Sequence, residues 1–335
     1  MKFDKNVTLQ EITNMPCFKQ MEGQFVAASM GDWLSDKKDM TLAKLQEQNP
    51  TWFCEDILYG LERLQKIAEQ GKQYVYPVGE EAHLIHLPAD EKKYSTFAIL
   101  MAGGAYGAVC TMVESLPVAA KLNELGMDCF CLNYRTATAR CFDKGLMPKP
   151  LDDVALAWEF IHLHELKFGI RADDYIVGGF SAGGHLAAMW GTPHRGARKY
   201  QIPNPGLLLL DYPLVSLKNI QGTAGTMIQT GLLGGDFKEE DLVEYSANAH
   251  VDHSYPKVYL CLAEDDPTVP KQDAQDLEEA LKKADVPYQV ERIQNGGHGY
   301  GLGTATPAKG WVERAIRFWK EKKYEDLCSK NKWIM

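Results

Sequence analysis

The residue best placed to act as a nucleophile is Ser181, in the segment Gly179-Phe180-Ser181-Ala182-Gly183, which has the spacing G-x-S-x-G. A short β-branched apolar run precedes this segment and a helix-forming run follows it. On such a strand-to-helix turn a serine is strained, its hydroxyl stands above the sheet, and the helix N-terminus favours developing negative charge. A Cβ at either flanking glycine would collide with the neighbouring strand and helix. The segment predicts a catalytic serine; the alternative is a plain strand–helix turn.

A serine nucleophile needs a base, and the base needs a carboxylate that orients it. His298 follows one strand-like run and lies among four glycines, which would let its ring approach the serine. Asp266 follows an earlier strand-like run and comes directly before the turn Pro267-Thr268-Val269-Pro270, so it is preferred as the orienting acid over Asp265 and Glu264. The chain order Ser, Asp, His is that of α/β-hydrolases. The alternative for His298 is a solvated loop histidine.

The negative charge that develops on a substrate oxygen needs backbone donors. The amide of Ala182, directly after the serine, is one such donor. A second is expected from the loop 102–107, where Gly103 and Gly104 permit the unusual backbone angles that aim amides at an anion. Each such donor typically lowers the barrier by about 3 kcal/mol.

The elements that must position these groups alternate along the chain. Strands are predicted at 73–78, 81–87, 97–101, 129–134, 175–180, 206–210, 258–262 and 288–293. Helices are predicted at 51–70, 112–125, 150–168, 272–283 and 309–322. This alternation indicates an α/β fold, with a mostly parallel sheet covered by helices on both faces and with ligands bound beyond the carboxyl ends of the strands.

Two segments fall outside the alternation. Residues 1–72 are expected to form an N-terminal extension with one helix, and residues 73–335 the main domain. The first fifty residues are interpreted as a surface wrap, with covering the active site or forming a dimer as alternatives. A glycine-rich insertion at about 217–248 is expected to form a small cap above the strand ends that can move, the alternative being a long connection.

The composition limits the classes of function. A net charge of −9 argues against an electrostatic nucleic-acid binder, and no run of eighteen apolar residues or N-terminal secretory signal is visible. Cys129, Cys131 and Cys261 lie within apolar strand-like runs and no C-x-x-C occurs, which favours reduced thiols and a cytoplasmic location. No G-x-G-x-x-G follows the first strand, so a dinucleotide enzyme is disfavoured.

Several segments resemble acetyl esterases and related carboxylesterases of the α/β-hydrolase superfamily. The similar segments are 178–187 around the serine, Leu132-Asn133-Tyr134-Arg135, 148–153, and Gly296-Gly297-His298-Gly299. The resemblance covers roughly residues 95–320. It implies a triad of Ser181, Asp266 and His298, with the amides of Gly104, Ala105 and Ala182 as oxyanion donors. The family's oxyanion loop usually reads His-Gly-Gly-Gly or Pro-Gly-Gly-Gly, whereas this loop begins with Ala102 and ends with Ala105, so a difference is expected in the close approach of substrate.

The residues and the resemblance together predict a serine esterase for short-chain carboxylic esters, with acetyl esters of carbohydrates as a hypothesis. A serine peptidase of the same fold and a non-catalytic binding protein on a hydrolase fold are the alternatives. The predicted partner is a small-molecule ester, with no nucleic acid and no membrane, and a homo-oligomer is left open.

No metal or organic cofactor is expected. His162 and His164 are a poor metal pair because residues two apart on a helix face different sides. His250 and His253 beside Asp252 are a minor metal candidate. Arg135 and Asp153 are predicted to form an ion pair that braces the loop 135–150.

Overall fold

A single sheet organises the structure, a computed structural model that describes residues 3–29 and 34–331. Eight strands in the described residues are, in chain order, β1 Val75–Val78, β2 Ala82–Leu87, β3 Phe97–Met101, β4 Asp128–Asn133, β5 Tyr175–Phe180, β6 Leu207–Asp211, β7 Val258–Ala263 and β8 Tyr288–Ile293. Their spatial order is β1-β2-β4-β3-β5-β6-β7-β8. Strand β2 is antiparallel to β1 and β4, and the other pairs are parallel. The strands predicted from sequence and the mostly parallel sheet are therefore confirmed.

The central strands are apolar because both faces of the sheet are covered. Every residue of β3, β5, β6 and β7 is buried. Close packing at β5 needs glycine, since a Cβ on Gly178 would lie 2.6 Å from the Leu100 side chain of the adjacent strand. Because β5, β7 and β8 run parallel, the loops that follow them emerge at one edge of the sheet.

The helices connect and cover these strands. They are α1 Leu9–Thr13, α2 Leu42–Gln48, α3 Cys54–Ala68, α4 Ser115–Glu124, α5 Cys141–Lys144, α6 Lys149–Leu163, α7 Glu165–Phe168, α8 Ser181–Trp190, α9 Gly222–Leu233, α10 Glu239–Glu244, α11 Lys271–Lys283 and α12 Trp311–Asn331. Short 3₁₀ turns occur at Pro16–Met21, Ser35–Lys37, Ala197–Tyr200 and Ala247–His250.

The single helix predicted at 150–168 is wrong, because α6 and α7 are separated at His164. The imidazole Nδ1 of His164 bonds the carbonyl of Phe160 at 2.7 Å. That carbonyl is the one that the His164 amide would use in a continuous helix, and the amide donates to Ile161 instead. A side chain that competes for a backbone acceptor therefore ends the helix.

The N-terminal residues contribute to the core of the domain. Phe18, Phe25, Leu42 and Leu45 are buried in the same apolar cluster as residues of α3, α4 and the sheet. The interpretation of this segment as a surface wrap did not anticipate this burial. The division into residues 1–72 and 73–335 stays a prediction, and both ends of the chain extend beyond the described residues.

The insertion, residues 217–248, follows β6 and contains α9 and α10. In the described chain, no helix combines the length and the apolar character needed to cross a membrane.

Candidate active site

Ser181 begins α8 directly after β5, with a backbone φ of 52°. A positive φ is rare for a residue with a Cβ and marks strain that the surrounding structure must hold. The two flanking glycines make this turn possible. A Cβ on Gly179 would lie 2.1 Å from the carbonyl oxygen of Gly183, and a Cβ on Gly183 would lie 2.1 Å from that of Met101. The steric reason predicted for these glycines is confirmed.

Three side chains from different strand ends meet above this turn. His298 Nε2 lies 2.8 Å from the Oγ of Ser181, and His298 Nδ1 lies 2.7 Å from Oδ2 of Asp266. The side chains of His298 and Asp266 are 17% and 7% exposed, so the pair is shielded while the ring remains reachable. The geometry permits the ring to accept the serine proton at Nε2 while Nδ1–H is held by the carboxylate.

The two neighbouring aspartates after β7 have different partners. The second carboxylate oxygen of Asp266 accepts the amides of Thr268 and Val269 at 2.7 and 3.0 Å, which fixes this side chain toward the histidine. The Oδ1 of Asp265 accepts the amides of Gly296 and Gly297, each at 2.9 Å. These two bonds lower the pKa of the exposed Asp265 carboxyl, and the bond from the Gly297 amide has the larger effect. Asp265 thus holds the loop that carries His298 and does not contact the ring.

The loop after β3 has the backbone conformation expected of an anion-binding segment. Gly104 has a φ of 134° and Ala105 a φ of 52°. Within the described residues, the amides of Gly104, Ala105 and Ala182 have no acceptor in the protein. The amide of Gly103, in contrast, donates to Oε2 of Glu114. The three amides that the resemblance implied are therefore among those that can donate to a ligand.

The same loop is tied to α8 by a buried histidine. His185 Nε2 lies 2.7 Å from the carbonyl of Tyr245, which can only accept, so the proton is on Nε2. His185 Nδ1 must then accept the hydroxyl of Tyr106, 2.6 Å away. Burial lowers the pKa of His185 to about 4, which favours this neutral form. The loop after β3, helix α8 and the end of the insertion are joined through one ring.

Sequence reasoning missed the side chains that support these loops. The buried Glu114 accepts the hydroxyl of Tyr212 at 3.0 Å, and the Tyr212 ring lies 4.9 Å from the His298 ring between centroids. Thr51 donates its hydroxyl to the carbonyl of His298 at 2.5 Å. These contacts join residues far apart in the chain, and no local pattern signals them.

The weaker metal candidates are arranged differently from the sequence interpretation. The side chain of His162 lies near Glu165 and that of His164 near Phe160, so they do not converge. His250 lies with His194 and Glu244, whose candidate ligand atoms are all within 4.8 Å of one another, and this replaces the predicted group of His250, His253 and Asp252.

Glu244 of this group is already paired with a cation, because Arg195 bonds its carboxylate at 2.6 Å.

The predicted ion pair of Arg135 and Asp153 is confirmed, with a guanidinium nitrogen 2.7 Å from the carboxylate.

Comparison with known families assigns the fold. The model of the BD-FAE family matches residues 84–281, more than half of the chain, and that of the dienelactone hydrolase family matches residues 244–323. An acetyl ester-xyloside bifunctional hydrolase from Caldicellulosiruptor lactoaceticus superimposes with a TM-score of 0.63 at 27% identity, over 73% of this chain and 90% of that one. The carboxylesterase Cest-2923 from Lactobacillus plantarum gives 0.62 at 19% identity, over 75% and 97%, and supports the fold alone.

Two curated proteins are similar in sequence. Endo-1,4-beta-xylanase B of Butyrivibrio fibrisolvens is 26% identical over 220 residues, 64% of this chain and 34% of that protein. The acetylxylan esterase of Xylanibacter ruminicola is 27% identical over 206 residues, 60% of this chain and 40% of that protein. The matched part therefore spans well under half the length of these relatives. Together with the sheet order and the strained Ser181 turn, the family match shows that this chain is a member of the BD-FAE family with the α/β-hydrolase fold.

Proposed function

We propose that the protein is a serine esterase that hydrolyses short-chain carboxylic esters through an acyl-enzyme. The observation that carries the proposal is the continuous chain of contacts from Ser181 Oγ to His298 Nε2 at 2.8 Å and from His298 Nδ1 to Asp266 at 2.7 Å. Three unengaged amides beside the serine support it, because they can receive the oxyanion of a tetrahedral intermediate.

The reaction assigns one task to each group. Ser181 Oγ attacks the ester carbonyl carbon while His298 Nε2 takes its proton, and the carbonyl oxygen becomes an anion bound by the amides of Gly104, Ala105 and Ala182. The ring then protonates the leaving alcohol as the carbon–oxygen bond breaks. Water, activated by the same ring, releases the acid from the serine. Asp266 holds the ring and stabilises its charged form throughout.

The names of two relatives support acetylated carbohydrates as the substrate class. One is an acetylxylan esterase, and another is an acetyl ester-xyloside bifunctional hydrolase. The xylanase name carries less weight, since the match spans 34% of that protein. Glycoside hydrolysis uses two carboxylates on either side of the scissile bond, and the site proposed here is centred on a serine.

The decisive experiment replaces the nucleophile. Ser181→Ala should lower kcat for p-nitrophenyl acetate by about 10⁶-fold, because removal of a triad serine leaves only binding and the oxyanion donors. Ser254→Ala is the matched control, since its hydroxyl bonds Asp252 in a distant loop. Retained activity in Ser181→Ala would refute the assignment.

Companion assays separate the alternatives. A series of p-nitrophenyl esters of rising acyl length, with acetylated xylo-oligosaccharides beside it, should show the highest kcat/KM on acetyl. Faster cleavage of p-nitroanilides than of esters would favour a peptidase. Absence of Ser181 labelling by a fluorophosphonate, together with no turnover, would favour a binding protein.

A further inference from the structure

Glu114 is a buried acid that the proposed reaction does not use. It directly precedes α4 and is 4% exposed. In the described part of the chain, no lysine or arginine pairs with it. Burial raises the pKa of this carboxyl, and the hydrogen bonds from Gly103 and Tyr212 act in the opposite direction. A buried carboxyl without a cation partner is costly, so its retention calls for a role.

One carboxylate oxygen of Glu114 fixes the start of the oxyanion loop. Its Oε2 accepts the amide of Gly103, whose own carbonyl accepts the amide of Cys110. A Cβ on Gly103 would lie 2.7 Å from the Cβ of Ser181 and 3.2 Å from Oε2 of Glu114. With the Gly103 amide turned toward Glu114, the next two amides, at Gly104 and Ala105, are left for the substrate oxygen.

The other carboxylate oxygen of Glu114 is linked through Tyr212 to the loop that carries His298. Oε1 accepts the hydroxyl of Tyr212, and the oxygen of that hydroxyl accepts the amide of Gly301 at 2.9 Å. The ring of Tyr212 meets the ring of His298 at an angle of 61°. Tyr212 itself follows β6 with a φ of 36°, a strained conformation held by these contacts. Glu114 thus joins the loop of the oxyanion donors to the loop of the base.

We propose that Glu114, acting through Gly103 and Tyr212, is a positioning residue that sets the oxyanion amides and the His298 ring in register with Ser181. The inference rests on the proposed esterase function and adds to it a residue that touches neither substrate nor reacting atoms. Displacement of reacting groups by about 1 Å costs about 100-fold in rate, so such a residue should affect kcat more than KM.

The experiment compares two replacements of Glu114 with p-nitrophenyl acetate as substrate. Glu114→Ala removes both acceptors and should lower kcat about 100-fold with KM changed less than about threefold. Glu114→Gln can keep the bond from Gly103 with its oxygen and replace the bond from Tyr212 with one that its own amide donates to the Tyr212 oxygen. It should therefore restore kcat to within about tenfold of wild type.

Tyr212→Phe keeps the test valid if Glu114→Ala does not fold. It cuts only the connection to the histidine loop and should lower kcat about tenfold, and adding it to Glu114→Ala should lower kcat no further. Tyr259→Phe is the matched control, because it removes a tyrosine hydroxyl bonded to Glu291 instead.

Thermal unfolding of every variant separates folding losses from loss of rate. Wild-type kcat in both Glu114→Ala and Tyr212→Phe would overturn the inference while leaving the esterase intact, as would equal losses in the Ala and Gln variants. A wild-type protein that hydrolyses no ester would overturn the proposed function, and the positioning role with it.

Discussion

Two segments at the same edge of the sheet are held in contrasting ways. The histidine loop, residues 294–304, is bonded from three sides: by Asp265 after β7, by Tyr212 after β6, and by Thr51 from the N-terminal region. The insertion is anchored at its start, where Asn219 bonds Asp273 and Asp276 of α11, and at its later part, where Leu232 of α9 bonds Met147 and Tyr245 bonds His185. The first half of α9 is largely exposed.

The histidine loop is held in place more firmly than the first half of α9 at the same edge of the sheet. The histidine loop is fixed by residues from three separate parts of the chain, which is the arrangement that the proposed role of His298 requires. The first half of α9 has few buried side chains, which is the feature of segments that open locally at low cost. The structure thus combines a firmly held histidine loop with an insertion in which the first half of α9 is weakly attached.

Among changes around the histidine loop, the largest loss of activity is expected for Asp266→Asn, and Asp265→Asn is the matched comparison. The first should lower kcat for p-nitrophenyl acetate about 10⁴-fold, because an amide favours the wrong tautomer of His298. The second should lower kcat only about tenfold, because Asp265 bonds the amides of Gly296 and Gly297 and not the ring. The measurement is kcat for both variants under identical conditions. The reverse order of effects would assign the orienting role to Asp265.

The features at this edge of the sheet that could be predicted from sequence are those that depend on residues close together in the chain. The strands were predictable because apolar runs bounded by glycines are local signals, and Ser181, Asp266 and His298 each follow such a run. The supporting contacts were not predictable. Thr51 and His298 are 247 residues apart, and Glu114 and Tyr212 are 98 apart. Such pairs depend on the packing of whole layers and leave no spacing in the sequence.

His185, which bonds Tyr245 at the end of the insertion, is expected to make the stability of the protein depend on pH. Its pKa is about 4 in the folded protein against about 6.5 in an unfolded chain, so the unfolded state binds a proton first as the pH falls. The stability contributed by the neutral ring is complete above about pH 6.5 and is lost toward pH 4. The loss amounts to roughly 3 kcal/mol of unfolding free energy.

The measurement is urea unfolding at pH 7, 5.5 and 4. His185→Gln should lack this component of the pH dependence, although it is less stable at pH 7, and the exposed His253→Gln should keep it. Parallel pH curves for wild type and His185→Gln would contradict the prediction.

A smaller effect is expected where the N-terminal region meets the histidine loop. Thr51→Val keeps the volume of the side chain but removes the hydroxyl that donates to the carbonyl of His298. One lost hydrogen bond of this kind is worth about 1 kcal/mol, so kcat should fall about fivefold. Thr13→Val is the control, because its hydroxyl bonds Gln10 within α1, away from the site. Equal kcat in the two variants would mean that the N-terminal region does not help to hold the base.

The smallest effect is expected at the exposed start of α9. Met227 is 57% exposed, whereas Leu232, five residues later in the same helix, is 1% exposed. Met227→Ala should change the unfolding free energy by less than about 0.5 kcal/mol, while Leu232→Ala should cost about 3 kcal/mol, because only the buried side chain leaves a cavity. Urea unfolding of both variants measures the two values. A cost for Met227→Ala comparable to that for Leu232→Ala would show that the beginning of α9 is packed as firmly as its end, and the contrast with the histidine loop would then disappear.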